Sequence, residues 1–213
     1  SGKLGYPRTN LYMPGPVGGP CLSKDPHILA EGMREFGVEP EITISARILN
    51  ERLPNEVCDQ LVDAMSKLRN GKEPKNITLC GLAFKGRPAT DDLRGTTARQ
   101  IFDAIHKRFP DAKFRGYDAM VKEKSIDEFG LQPCQNLEEA FQDADLLLIL
   151  NNHTVFESMP LVELAGRMKG PGIIYDFWNN FDARELALPN GIIYIGLGAR
   201  AHSLLPKLKR EIL

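Results

Sequence analysis

The spacing of hydrophobic residues along the chain changes near residue 76. Before this point apolar positions recur at helical intervals, and after it short continuous apolar runs alternate with amphipathic segments. The runs predict strands at 77–82, 113–118, 145–150, 172–177 and 191–196. The segments between them predict helices near 96–108, 137–143 and 161–168. Buried strands separated by helices indicate an α/β fold, a doubly wound, mostly parallel sheet of Rossmann-like architecture.

Ligands bind such sheets at the carboxyl ends of the strands. The loops that follow Leu82, Tyr117, Leu150 and Tyr175 are therefore the places where a ligand is expected.

The part before the sheet predicts two helices behind an irregular stretch rich in Gly and Pro. The first begins at Asp25-Pro26, with Asp25 as the N-cap. The second runs from about Ile42 to Leu68, and Pro54 predicts a break in it. One face of this helix is apolar and must be buried, either against the chain's own α/β domain or against a second chain. Its residues are Val57, Leu61, Val62, Met65 and Leu68. We predict a helical region at 1–70 and an α/β domain at 75–213, joined by a polar linker.

Composition narrows the classes of function. The chain has 213 residues and a net charge of −1, which argues against nucleic acid or an anionic membrane as a partner. Its longest apolar run, Leu146 to Leu150, is too short to span a bilayer. The chain begins at Ser1 without an initiating Met, so we expect further sequence before it.

The cysteines are widely spaced and form no CxxC pair: Cys21, Cys58, Cys80 and Cys134. This spacing predicts no zinc or other metal site and no disulfide framework, and it indicates a reducing, cytoplasmic location.

The stretch PGPVGGPCLSKDP, residues 14–26, ends a constrained loop with Cys21. A helix start and the nearby Lys24 both stabilise a thiolate. Gly18 and Gly19 let the backbone adopt conformations that other residues resist and approach a ligand closely. The ordinary alternative is a small buried cysteine, but a loop rich in Gly and Pro is a poor place to bury one.

A second stretch, GLAFKGRPATDDLRGTTARQ at 81–100, lies between a strand end and a helix start. A phosphate in that position would meet backbone N–H groups and the cations of Lys85 and Arg94. The stretch is not a GxGxxG fingerprint, and the sequence contains none. Spacing alone favours a solvated charged loop. Arg94 fits a ligand contact and an ion pair with Asp91 or Asp92 equally well.

Together these two stretches resemble the paired signatures of the UDP-glucose/GDP-mannose dehydrogenase family. YPRTNLYMPG before the cysteine and ILNERLP at 48–54 fit the same family, and the resemblance extends from about Pro7 to Gly198. It implies the end of a central dimerising helical region followed by the C-terminal nucleotide-sugar domain. The NAD-binding domain of the family lies outside this sequence.

The resemblance also implies the chemistry. A UDP-sugar C6 alcohol is oxidised to a uronate in two NAD-dependent steps, through a thiohemiacetal and a thioester on cysteine. It implies a homodimer, and a chain that is inactive by itself. The catalytic residues would be Cys21 as nucleophile, Asp25 in activating water (or only as a helix cap) and Lys24. Substrate contacts would come from Gly18, Gly19, Phe84, Lys85, Arg94 and Arg8, the last reaching the sugar site of a neighbouring subunit.

The choice of sugar depends on LNNHTVF, residues 150–156, which is similar to a segment of members that act on UDP-N-acetylhexosamines. UDP-N-acetylmannosamine is favoured, UDP-glucose is the main rival, and GDP-mannose is a weaker one. His153 fits a helix cap equally well. YDFWNNF at 175–181 lacks the basic residue common in the family, and Asn179 or Asn180 would replace it.

Two other classes of function remain open. One is a non-catalytic module for nucleotide-sugar binding or dimerisation, which the missing dinucleotide fingerprint suggests. The other is a cysteine hydrolase, which ranks last because no motif links any of the four histidines to Cys21.

Overall fold

The computed structural model describes residues 15–198, whose strands form one six-stranded sheet with every pairing parallel. The strands are β1 (Asn76–Cys80), β2 (Lys113–Tyr117), β3 (Gln132–Pro133), β4 (Leu146–Ile149), β5 (Gly172–Asp176) and β6 (Ile192–Gly196). Their order across the sheet is β3-β2-β1-β4-β5-β6. The predicted doubly wound, Rossmann-like sheet is confirmed.

Seven helices lie within the described part of the chain. They are α1 (Asp25–Arg34), α2 (Glu41–Leu68), α3 (Thr97–Arg108), α4 (Glu123–Glu128), α5 (Leu137–Phe141), α6 (Thr154–Ser158) and α7 (Leu161–Ala165). The hydrophobic pattern did not predict α4, α6 or β3. Each buries at most one residue, whereas the equally short α5 and α7 bury two and three, so the missed elements leave no hydrophobic pattern.

The sheet is covered on both faces because alternate strand residues enter two separate hydrophobic clusters. Leu79 and Leu148 pack in the cluster that includes α2 and α3. Cys80 and Leu147 point the other way, into the cluster that includes α5 and α7. Burial on both faces explains why these strands are apolar without interruption.

The helix α2 is continuous over 28 residues, so the predicted break at Pro54 is wrong. A proline in a helix loses one backbone hydrogen bond, but packing of the next turns outweighs that loss here. Val57, Leu61 and Met65 are buried against the sheet, and Val62 and Leu68 pack beside them. The protein's own α/β domain therefore covers this face. The domain division near residue 70 stays a prediction.

The start of α1 also differs from the prediction. Lys24 occupies the N-cap position and Asp25 is already helical, with no side-chain capping bond. The backbone of Lys24 is in the right-handed helical region, because the turn that begins at Cys21 leads directly into the helix. The Asp25 carboxylate instead accepts a hydrogen bond from Lys24 Nζ at 2.6 Å.

Across residues 15–198, none of the helices combines the length and hydropathy needed to cross a membrane.

Candidate active site

The strand order reverses between β1 and β4, which makes the carboxyl edge of the sheet at this point the expected ligand crevice. From β1 the chain proceeds outward to β2 and β3, and from β4 it proceeds the other way to β5 and β6. The chain therefore leaves β1 and β4 toward opposite sides of the sheet, and open α/β sheets bind ligands at such a point. Both loops were predicted to lie there.

These two loops touch through backbone contacts that only glycine allows. Gly81 has a φ of +87°, and a β-carbon added to it would lie 2.7 Å from the Asn151 side chain. A β-carbon added to Gly86 would lie 2.0 Å from the backbone N of His153. The Gly86 N–H donates to Asn152 Oδ1 at 3.0 Å. The loop after β1 is thus fixed against the loop after β4.

His153 caps the short helix α6. Its Nδ1 accepts a hydrogen bond from the Val155 N–H at 3.1 Å, and its ring lies edge-on to Phe156. His153 therefore occupies the N-cap of α6, which was one of its two predicted roles.

Asp118, directly after β2, organises the beginning of the same crevice. One carboxylate oxygen accepts hydrogen bonds from the N–H groups of Leu82 and Ala83 at 2.6 and 3.0 Å. The other accepts from Met120 and Val121. Sequence reasoning overlooked this residue, although an aspartate at the carboxyl end of a predicted strand is a recognisable signal.

The glycine loop before Cys21 packs onto the loop after β1. The Gly19 N–H donates to the Gly95 carbonyl at 2.7 Å. A β-carbon on Gly18 would lie 2.6 Å from that same carbonyl oxygen, and one on Gly19 would lie 2.8 Å from the Phe84 ring. Gly18 and Gly19 thus approach another loop of the protein closely, and their predicted approach to a sugar stays a prediction.

Phe84 and Lys85 are half-buried beside this contact. The Lys85 ammonium lies 5.1 Å from the centroid of the Phe84 ring. The Phe84 N–H donates to the Asp92 carbonyl at 3.0 Å, which folds the loop back on itself. The structure therefore gathers Gly18, Gly19, Phe84 and Lys85 at one edge of the sheet.

Cys21 is exposed at the end of the glycine loop. Its carbonyl accepts hydrogen bonds from the N–H groups of Lys24 and Asp25, so it lies in the turn just before α1. The pKa of Lys24 is raised, mainly by its hydrogen bond to Asp25. The pKa of Arg94 is raised chiefly by its hydrogen bond to Asp92. Of these two cations, Lys24 lies in the same turn as the thiol.

The other three cysteines are buried. Burial raises the thiol pKa of Cys58 to about 12, and it also raises the pKa of Cys80 and Cys134. The interpretation as small buried side chains is correct for these three. Cys21 is the one cysteine exposed to a reagent or substrate.

Arg94 forms a two-pronged ion pair with Asp92, with Nη2 to Oδ2 at 2.7 Å and Nε to Oδ1 at 3.0 Å. These hydrogen bonds hold the pKa of Asp92 at about 2. The Arg94 side chain is still 76% exposed. Of the two aspartates offered as ion-pair partners, the structure selects Asp92.

The loop after β5 is organised by a buried carboxylate, Asp176. It accepts hydrogen bonds from Trp178, Asn180 and the Tyr194 hydroxyl, and burial raises its pKa. The Asn180 side chain donates to Asp176, and that of Asn179 donates to the Leu197 carbonyl. Both side-chain amides hydrogen-bond within the protein itself.

Arg8 lies outside the described residues.

Two residues of α2 that sequence reasoning missed hold the Cys21 loop from behind. Asn50 Oδ1 accepts from the Val17 N–H at 2.7 Å, and its Nδ2 donates to the Val17 carbonyl at 2.8 Å. Arg47 donates to the Leu22 carbonyl at 3.3 Å and to Glu51 at 2.7 Å. Asn50 belongs to the ILNERLP segment, which was the available signal.

The fold and the candidate site define a doubly wound α/β domain whose site lies at the carboxyl edge of the sheet, where the strand order reverses. Residues 78–183 match the UDP-glucose/GDP-mannose dehydrogenase family, UDP binding domain. The chain belongs to this family.

Its relatives agree with this assignment. UDP-N-acetyl-D-mannosamine dehydrogenase of Pyrococcus horikoshii is 31% identical over 197 residues, which cover 91% of this chain and 41% of that protein. UDP-N-acetyl-D-glucosamine 6-dehydrogenase of Salmonella typhi is 28% identical over 166 residues, covering 78% and 38%. The chain thus spans about two fifths of the length of the curated relatives that it matches.

Solved structures give the same result. The P. horikoshii UDP-D-ManNAc dehydrogenase aligns with a TM-score of 0.70 and 29% identity, covering 91% of this chain and 41% of that one. An NDP-N-acetyl-D-galactosaminuronic acid dehydrogenase from Methanosarcina mazei Go1 aligns with a TM-score of 0.73 and 26% identity, covering 90% and 40%.

The described residues do not fit a dinucleotide at the first strand-to-helix turn. In a dinucleotide fingerprint the glycines leave room for a pyrophosphate. Here the space beside Gly81 is filled by Asn151, and the space beside Gly86 is filled by His153. In the part of the chain that the structure describes, no group of three or more His, Cys, Asp or Glu residues is arranged to hold a metal.

Proposed function

We propose that this chain is the thiol-bearing and nucleotide-sugar-binding part of an NAD-dependent UDP-sugar 6-dehydrogenase. The observation that carries the proposal is the packing of the Cys21 loop against Phe84 and Gly95, at the carboxyl edge where the strand order reverses. A nucleophilic side chain thereby lies beside the crevice in which the fold binds ligands.

The substrate class follows from relatives that act on UDP-N-acetylhexosamines. We favour UDP-N-acetylmannosamine, because relatives named as its dehydrogenases reach 31% identity. UDP-glucose is the principal competitor. The UDP group would bind at the loops that follow β1 and β4, with Lys85 opposite a phosphate and Phe84 against the sugar ring.

Cys21 supplies covalent catalysis. Its sulfur attacks the C6 carbonyl carbon of the aldehyde, and the carbonyl oxygen takes a proton to give a thiohemiacetal. Loss of a hydride from C6 and a proton from oxygen leaves a thioester. Attack by water then breaks the carbon–sulfur bond and returns the thiol with the free acid. When bound, NAD would supply the hydride acceptor for each of the two oxidations, and we place its binding domain outside this chain.

Asp25 and Lys24 would serve the last step as a pair. Both side chains are exposed and their charged groups lie 2.6 Å apart, within the turn that carries Cys21. The Asp25 carboxylate would accept a proton from the attacking water. Lys24 would offset the negative charge that develops on the carbonyl oxygen.

The binding part of this proposal can be tested on the 213-residue chain by calorimetry with UDP, UDP-sugars, GDP-mannose and NAD. We expect weak binding of UDP and UDP-sugars, no binding of NAD, and no dehydrogenase activity. Lys85→Ala is expected to weaken UDP binding by about 1.5–3 kcal/mol, because it removes a charge-assisted hydrogen bond to phosphate.

Lys113→Ala is the matched control, since Lys113 begins β2 at the opposite, amino edge of the sheet. Equal effects of the two substitutions would contradict a phosphate site at Lys85. NAD binding by this chain would contradict the proposed domain assignment, and a preference for GDP-mannose would contradict the substrate class.

A second candidate is a non-catalytic nucleotide-sugar-binding module. It is favoured by the filled spaces beside Gly81 and Gly86, which leave no dinucleotide cradle at that turn. The coding sequence upstream of Ser1 separates the two candidates. A GxGxxG domain in the same reading frame supports the dehydrogenase, and an initiating Met close to Ser1 supports the module.

The helices α1 and α2 would also form a homodimer interface. Exposed apolar side chains lie on α1, on the turn after it and on the first half of α2: Ile28, Leu29, Phe36, Val38, Ile42, Ile48 and Leu49. Phe36 and Ile42 are 84% and 86% exposed, and apolar surface of this extent is typical of association sites.

We expect wild-type chain to be dimeric in light scattering and the double variant Phe36→Lys, Ile42→Lys to be monomeric at the same micromolar concentration. Val162→Lys, at an exposed apolar position on α7, is the control and should stay dimeric. A monomeric wild-type chain at high concentration would count against this interface.

A further inference from the structure

We infer that Asn50 of α2, assisted by Arg47, is a positioning residue that holds the Cys21 loop at the crevice. The inference builds on the proposed function of Cys21. It concerns residues of α2 that contact the backbone of the Cys21 loop, and it assigns a role to the ILNERLP segment.

Asn50 accepts one hydrogen bond from the loop backbone and donates another to it, as a neighbouring β-strand would. Its side-chain oxygen accepts the Val17 N–H at 2.7 Å, while its nitrogen donates to the Val17 carbonyl at 2.8 Å. Both hydrogen-bonding groups of one backbone residue are thereby satisfied by one side chain. An amide does this with two directed bonds, and neither Ala nor Ser can reproduce the pair.

A second attachment lies on the other side of Cys21. Arg47 is buried and donates to the carbonyl of Leu22, the residue that follows the cysteine, at 3.3 Å. Glu51 fixes the guanidinium at 2.7 Å and also lies 3.8 Å from His27 Nε2 of α1. Residues 47, 50 and 51 share one face of α2, so a single rigid helix holds the loop before and after the thiol.

Packing supports the loop at Gly18 and Gly19, against Gly95 and Phe84, and the bonds to α2 hold it at Val17 and Leu22. A cavity of about 430 Å³ opens beneath it, lined in part by Gly18, Ser23, Arg47 and Thr97. On its other side the loop is attached through Gly19 to the Gly95 carbonyl. The position of Cys21 is thus set by hydrogen bonds to α2 and to the loop after β1. A thiol that must meet a carbonyl carbon is sensitive to small displacements.

Asn50→Ala tests the inference, with Asn55→Ala as the matched control because Asn55 is an exposed asparagine on the same helix. In the 213-residue chain, amide hydrogen exchange of peptides that cover residues 15–23 is expected to accelerate at least about tenfold in Asn50→Ala and to stay unchanged in Asn55→Ala. Thermal melting should remain close to wild type, since alanine suits a helix.

In the full-length protein, Asn50→Ala is expected to lower kcat by roughly 10- to 100-fold while KM for the UDP-sugar changes less than about threefold. A purely structural role would instead lower the melting temperature without this split. Unchanged exchange in the loop, an unchanged kcat, or an effect confined to KM would each overturn the inference.

Failure of the proposed function has a different signature. Full turnover by Cys21→Ser would refute the role of Cys21, whereas accelerated exchange in Asn50→Ala would still establish that Asn50 holds the loop. If Cys21→Ser is inactive but Asn50→Ala leaves exchange and kcat unchanged, the proposed function stands and the inference about Asn50 is wrong.

Discussion

Full-length protein with Cys21→Ser is expected to lose formation of the sugar acid by at least about 1,000-fold, while its affinity for the nucleotide sugar is largely kept. A serine hydroxyl is far less ionised than a thiol and does not readily form the acyl intermediate. The side chain is exposed at the end of its loop, so the substitution disturbs little packing. Rates of NADH and acid formation, with calorimetry of UDP-sugar binding, separate the two effects.

Iodoacetamide provides an independent check on the same thiol. It should label Cys21 first, because the other cysteines are buried and burial raises the pKa of their thiols. Loss of activity should follow that label, and bound UDP-sugar should slow it. Wild-type turnover by Cys21→Ser would remove this residue from the mechanism.

Asp25→Asn distinguishes the hydrolytic step from the steps before it. If the carboxylate activates water, its loss slows release of the acid, and the thioester accumulates on Cys21. Intact mass measured after rapid quenching should show an adduct equal to the acyl nucleotide sugar. Unchanged turnover with no adduct would mean that Asp25 serves only as the ion-pair partner of Lys24.

Gly86→Ala is expected to have the largest effect on the crevice itself. The added β-carbon would lie 2.0 Å from the backbone N and 2.4 Å from the Cα of His153. Because these are backbone atoms, no flexible side chain can move to make room, and the loop after β4 must shift. We expect a loss of roughly 1–3 kcal/mol in the free energy of unfolding, together with at least about tenfold weaker UDP binding.

Gly32→Ala is the control for that experiment. Gly32 lies within α1, and a β-carbon there would meet no atom within 4 Å. Alanine at this position should stabilise the chain by about 0.5–1 kcal/mol, since glycine is unfavourable in a helix interior. Urea unfolding measures both variants. Near wild-type stability and binding in Gly86→Ala would show that the two loops are not held together as the structure describes.

Much of the fold was predictable because burial determines which residues within each helix or strand are apolar. Strands buried on both faces are mostly apolar, as in β1, β4, β5 and β6, and the sequence predicted these four and the partly exposed β2. The shorter elements α4, α6 and β3 were missed for the same physical reason, since they bury too few residues to form a pattern.

The candidate site also contains residues whose position was predicted from the sequence and residues whose contacts were not. Cys21 stood out because a thiol in a glycine-rich loop is unusual, and the structure leaves it exposed. Asp25 was expected to cap α1, but its carboxylate pairs with Lys24, because the turn from Cys21 continues into the helix. Which of two neighbouring carboxylates would pair with Arg94 was also undecided until the loop geometry brought Asp92 to it.

The sequence by itself determined the parallel sheet, the edge at which its loops gather, and the loop that presents the thiol. These features depend on properties of neighbouring residues along the chain. Only the tertiary structure decided that Asn50 forms hydrogen bonds with Val17, 33 residues away. The same holds for the hydrogen bond between Gly86 and a loop residue 66 positions further along. Such contacts depend on how helices and strands pack against one another. The local pattern of apolar and polar residues does not determine this packing.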